Sequence, residues 1–97
     1  MAIEFRDYDV AEHLRTPEEM AAYLEASIAE CDGDASFVAK ALGDIARAKG
    51  MAALSRDTGL GRESLYKALS ADGNPQLSTV LKVAKALGLQ FGVKPAA

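Results

Sequence analysis

The sequence predicts an all-α domain of five helices, and three observations carry the prediction. Apolar residues recur at spacings of three and four from Met20 to Leu87, the period of a helix with one buried face. Helix starts and stops punctuate that pattern at Thr16-Pro17-Glu18-Glu19, Asp34, Gly50, Gly59 and Gly88. Strand-like alternation is confined to the two ends, at Ile3 and Phe5 and from Leu89 to Val93.

The elements follow in order. Residues 1–15 read as an extended arm leading to one helical turn, with Ile3, Phe5, Tyr8, Val10 and Leu14 spread among acids. Thr16 is placed to cap the first helix, Pro17 suits its first position, and Glu19 closes a capping box. Met20, Leu24 and Ile28 form its apolar line, with Tyr23 beside them, and the helix stops near Cys31 at Asp32-Gly33. Asp34 caps a second helix that carries Phe37, Val38, Ala41, Leu42 and Ile45 inward and ends near Lys49, with Gly50 as its stop.

Met51 to Leu69 then reads as two short helices pinched at Gly59. Leu54 and the small Ser55 face inward from the first; Leu65, Ala68 and Leu69 face inward from the second, which starts near Arg62. Asp72-Gly73-Asn74-Pro75 is a turn by composition. A fifth helix from about Leu77 to Leu87 puts Val80, Leu81, Ala84 and Leu87 on one face, with Lys82 and Lys85 off it, and Gly88 stops it. Leu89 to Val93 can form a short C-terminal strand or a loosely packed tail.

Ninety-seven residues make a single domain, 1–97. A core of that size is modest, so a homodimer that buries more surface is expected. No apolar run reaches the ~18 residues of a membrane span, and the N-terminus lacks a basic or signal-like stretch, so a cytoplasmic chain with no membrane partner is expected. Cys31 is the one cysteine and His13 the one histidine, which leaves no internal disulfide, no metal-ligand cluster and no cofactor to expect. Cys31 reads as buried filler. Catalysis is not expected either, because no Gly-rich phosphate loop, nucleophile elbow or metal spacing is present and the scattered carboxylates sit at turns and caps.

The net charge of −3 hides a strong division. Residues 1–46 hold 11 Asp or Glu against 3 Lys or Arg, a net −8, whereas residues 47–97 hold 3 against 8, a net +5. The second half can face phosphate; the first repels it and suits a basic protein.

The pinched pair fits a helix-turn-helix, whose second helix enters the DNA major groove. Ser55 lies where the helices cross, Gly59 takes the turn, and Leu54, Leu60, Leu65 and Leu69 hold the pair together. An ordinary αα-hairpin in a small bundle is the alternative. Gly61 departs from the common design because it caps without a side-chain acceptor. Arg62, Glu63 and Lys67 are the candidate base readers: an Arg can donate twice to guanine and a Glu can accept from the cytosine amino group. Glu63 and Lys67 could instead form an exposed i, i+4 pair. Ser64, Tyr66, Asn74 and Gln76 are candidate phosphate contacts, against plain turn and capping duties. Lys82 and Lys85 add long-range attraction. A dimer reading half-sites roughly 34 Å apart is the expected binding unit, with the helix from Leu77 and the tail through Phe91 and Val93 as the preferred dimer surface.

Several runs of the chain are familiar together: Phe5, Asp9 and Val10; Tyr23-Leu24; Ala41-Leu42-Gly43-Asp44-Ile45-Ala46; Gly50-Met51; Thr58-Gly59-Leu60; Arg62 to Leu69; Asn74-Pro75; and Ala86-Leu87-Gly88-Leu89. In this order they resemble the addiction-module antidote proteins, antitoxins of type II toxin-antitoxin pairs with a HigA-like, Xre/Cro-type helix-turn-helix. The resemblance covers nearly the whole chain and is most specific from Arg62 to Leu69. It implies a five-helix, lambda-repressor-like fold, a small basic toxin similar to the RelE or HigB ribonucleases as partner, and repression of the chain's own operon through double-stranded DNA. Ser55 departs from the usual Ala and adds a hydroxyl that needs a partner, and Ala52 and Ala53 stand where related proteins often carry phosphate-touching residues.

On that resemblance, residues 34–97 are the DNA-binding core and residues 1–33 the acidic, toxin-facing part. Glu18, Glu19, Glu25 and Glu30 lie on the first helix, Glu4, Asp7, Asp9 and Glu12 on the arm, and Phe5, Tyr8 and Tyr23 are either anchors for the toxin or core residues. The competing functions are a free-standing Xre-family regulator without a toxin and a protein-interaction module that no longer binds DNA.

Overall fold

A computed structural model describes residues 14–70 and 72–96. The expectations for the arm, including the strand at Ile3 and Phe5, the anchors Phe5 and Tyr8, and His13, lie outside the described residues. Within them the protein is all-helical: α1 (Pro17–Glu30), α2 (Ala35–Lys49), α3 (Met51–Thr58), α4 (Arg62–Ala68) and α5 (Leu77–Ala86).

The helix ends form where local chemistry satisfies the free backbone groups. The Thr16 hydroxyl accepts from the Glu19 N–H at 3.1 Å, and Glu19 Oε1 accepts from the N–H groups of Thr16 and Arg15 at 3.2 and 2.9 Å, a complete capping box. Beyond α1, Asp32 and Gly33 both take positive φ, 50° and 83°, which turns the chain sharply. Asp34 Oδ1 then accepts from the Ser36 N–H and hydroxyl and starts α2. The last turn of α5 closes as a Schellman motif around Gly88: the Gly88 N–H donates to Lys85 O and the Leu89 N–H to Ala84 O.

The core gathers Leu14, Met20 and Leu24 with Ala41, Leu42 and Ile45 of α2, Met51 and Leu54 of α3, Leu65 and Leu69 at α4, and Val83 and Leu87 at α5. Side chains of this kind each contribute roughly 1.5–3 kcal/mol when fully buried. α3 is the hub, packing on α2, α4 and α5, while α1 packs on α2. Two features fix α2. Gly43 lies against the backbone carbonyl of Leu69, where any Cβ would collide. At the next residue, the Tyr23 hydroxyl of α1 donates to Asp44 Oδ2 at 2.6 Å, and Lys40 and Arg47 pair with the same carboxylate at 3.3 and 3.2 Å.

Four expectations are corrected, and of the two alternatives for the tail the strand is not the one formed. The tail from Leu89 to Val93 is not a strand: among the described residues it has no neighbouring edge to complete a ladder, and the Leu89 N–H is already used by the helix end. Leu89 packs on the core, Phe91 lies in a shallow groove with Leu24 and Ile28, and Val93 is fully exposed. Ile28 is half-exposed in that groove rather than in the core. Phe37 is 49 % exposed, because it sits at the edge of the α2 stripe opposite small residues of α1. On α5, Val83 is buried and Leu81 is half-exposed, so the inward face lies further round the helix than the apolar count suggested. Cys31 is half-buried at the C-cap of α1, not fully buried filler.

Candidate functional site

The candidate site is the pair α3 and α4 with the turn between them. Gly59 closes α3 in the left-handed region, φ 76° and ψ 8°, and its N–H still donates to Ser55 O at 2.9 Å. Two hydroxyls of α3 hold the turn. Ser55 donates to the carbonyl of Leu60, so the hydroxyl that needed a partner has one. Thr58 donates to Leu54 O at 2.8 Å and accepts from the Leu60 N–H at 3.2 Å. Leu60, thus bound through both backbone groups, packs against the core. Gly61 is extended, φ −65° and ψ 148°, and caps α4 without a side-chain bond, as its lack of an acceptor requires.

α4 is anchored from below. Leu65 and Leu69 are 1 % and 0 % exposed, and Leu54 opposite them is 0 %. Since the core takes that side, Arg62, Glu63, Ser64, Tyr66 and Lys67 are all exposed on the remaining surface. Glu63 and Lys67 do not pair; the ion pairs among the described residues are those of Asp44. Both side chains are therefore presented to solvent. Ser64 and Lys67 line a cleft with Asp72, Gly73 and Asn74, at the start of the segment leading to α5. Asn74 and Gln76 are exposed, and Gln76 stands at the N-cap of α5 with no side-chain capping bond. Lys82 and Lys85 line a separate depression with Asp57 and Thr58.

The acids of α1 do not form one stripe. Glu19 serves the capping box, Glu18 and Glu25 lie seven residues apart on a common face, and Glu30 lies on the face that carries Tyr23, Ala26 and Ser27. Glu18, Glu25 and Glu30 are exposed. Tyr23 is engaged with Asp44, in keeping with the core reading of that ring. The role of Thr58 was not singled out from sequence, although a Thr just before Gly at a helix end is a recognisable source of local hydroxyl bonds. Among the described residues no group of His, Cys, Asp and Glu could hold a metal ion, and no described helix is long and apolar enough to cross a membrane.

Fold and site together define a small all-helical protein that displays a short polar helix from a buried leucine base. A family model described as probable addiction module antidote protein matches residues 4–95, and the chain belongs to that family. It is also 50 % identical over 94 residues to an uncharacterized protein of Haemophilus influenzae, an alignment spanning 97 % of this chain and 95 % of that one. No solved structure matches. Membership of an antidote family supports an antitoxin role and implies, in general, a toxin partner.

Proposed function

We propose that this protein is the cytoplasmic antitoxin of a type II module: it neutralises a small basic toxin similar to RelE or HigB and represses its own operon by sequence-specific DNA binding. In this reading α3, the turn and α4 are a HigA-like, Xre/Cro-type helix-turn-helix within a lambda-repressor-like core spanning 34–97. Arg62, Glu63 and Lys67 read bases, and Ser64, Tyr66, Asn74 and Gln76 hold phosphates. The observation that supports it most is the division of α4, with Leu65 and Leu69 sealed in the core and every polar side chain from Arg62 to Lys67 exposed. A dimer would place two such helices in successive turns of the groove. The acidic part, 1–33, with Glu18, Glu19, Glu25 and Glu30, supplies the charge that draws in a basic toxin.

The test is a fluorescence-anisotropy titration against the duplex upstream of the chain's own operon and a scrambled duplex, at two salt concentrations. The wild type is expected to prefer the native duplex, and an Arg62→Ala, Lys67→Ala double variant to lose that preference, each good base contact being worth about 1–3 kcal/mol of discrimination. Equal, weak and salt-erased binding to both duplexes would refute base reading by α4.

A further inference from the structure

The reading above uses the acidic part of the molecule only for its charge, yet α1 and α2 also form a shaped surface there. Phe37 projects half-exposed from α2 beside a cleft of about 620 Å³ between α1 and α2. The cleft exists because the α1 residues opposite are Ala26 and Ser27, and Ala41 on α2 is equally small. Its floor is therefore open beside an aromatic ring. Tyr23, which closes one end, is fixed by its bond to Asp44.

The rim carries Glu30, Asp34 and Lys40. Lys40 Nζ is 3.3 Å from Asp44 Oδ2, a carboxylate it shares with Arg47, so Lys40 keeps part of its charge, and the two rim acids outnumber it. Asp34 is held as a carboxylate, its pKa lowered by the Ser36 hydroxyl and N–H. The rim is thus negative at neutral pH, with Asp32 exposed close by in sequence.

Deepening the antitoxin reading, on which this rests, we infer that the Phe37 cleft is where the toxin docks, taking an apolar side chain flanked by a lysine or arginine of the toxin. Exposed aromatic anchors beside a pocket are the usual centres of protein interfaces, and the acidic rim selects a cationic neighbour for the inserted group. A second copy of this chain is a poor occupant, because a two-fold contact through the cleft would bring together two rims of the same net negative charge. The chemistry also separates the two duties: the basic half faces nucleic acid and the acidic cleft faces protein, so both can be filled at once.

The probe is the purified basic toxin encoded in the same operon, captured on a biosensor and titrated with wild type, Phe37→Ala, a Glu30→Gln, Asp34→Asn double variant, and Asp57→Asn as an exposed acid outside the cleft. Asn at position 34 keeps the capping acceptor, and thermal melts with operator binding verify that each variant is folded. Phe37→Ala is expected to weaken toxin binding about tenfold or more, mainly through faster dissociation. The double charge variant should slow association several-fold at low salt, a difference that disappears at high salt, while Asp57→Asn stays within about twofold of wild type. Undiminished toxin binding by Phe37→Ala would overturn the cleft as the docking site while leaving the antitoxin reading standing. A wild-type chain that ignores the toxin would overturn both. Self-association of the wild type that Phe37→Ala abolishes would assign the cleft to a second copy and overturn the inference.

Discussion

Removing one oxygen from Tyr23 is expected to loosen α1 from α2 more than deleting either cation at the same carboxylate. The Tyr23 hydroxyl meets Asp44 Oδ2 at 2.6 Å, a short bond to an ionised acceptor whose side chain is 16 % exposed. Hydrogen bonds to charged groups contribute about 1.5–3 kcal/mol; with both partners partly solvated, the lower part of that range applies, about 1.5–2 kcal/mol. Lys40 and Arg47 pair with Asp44 at 3.3 and 3.2 Å, but their side chains are 57 % and 47 % exposed. Each such pair contributes about 0.3–0.5 kcal/mol and is screened by salt. For a domain of this size the Tyr23→Phe loss corresponds to a fall in Tm of about 6–16 °C. Urea unfolding followed by circular dichroism, for Tyr23→Phe, Lys40→Ala and Arg47→Ala at low and high salt, measures all three. The reasoning is refuted if Tyr23→Phe costs less than either cation variant, or if its cost vanishes with salt.

Two further predictions concern α2. Gly43→Ala places a methyl against the Leu69 carbonyl and should cost about 1–3 kcal/mol in urea unfolding, a typical overpacking penalty, with operator affinity falling as the end of α4 is displaced. Asp34 has a folded pKa below its ordinary value of 3.8, because the Ser36 hydroxyl and N–H favour the carboxylate. A lowered folded pKa means that the contribution is present above about pH 4 and is lost as pH falls through the folded value. Melting curves from pH 6 to 2 should therefore show an acid loss in wild type that is smaller in Asp34→Asn, which keeps the cap but cannot titrate.

Local signals in the sequence foretold the helix ends well, since each depends on a few adjacent atoms: Thr16 with Glu19, Asp34 with Ser36, and positive φ at Gly50, Gly59 and Gly88. The exposed positions of α4 were legible for the same reason, Leu65 and Leu69 leaving only one way for the helix to face. Misreadings arose where a residue's fate depends on what lies opposite. Phe37 and Leu81 belong to apolar stripes, yet neither meets enough partner surface to be covered, while Val83 does. The alternation from Leu89 to Val93 has the period of a strand without an edge to pair with among the described residues. The Tyr23 to Asp44 bond spans 21 positions, and the contact of Gly43 with Leu69 spans 26; no periodicity points to either.

The two hydroxyls of α3 have a consequence for how this surface can evolve. Ser55 and Thr58 bind both backbone groups of Leu60, so the connection to α4 loses its conformational freedom when the chain folds. A partner meeting α4 finds it already ordered, and its affinity is not diminished by the entropy of arranging a loop. None of the atoms that set this geometry belongs to the outward side chains of Arg62, Glu63, Tyr66 or Lys67. Those four positions can therefore be exchanged for other residues while the angle of the helix stays the same, so the chemistry displayed on α4 is separable from the scaffold that holds it.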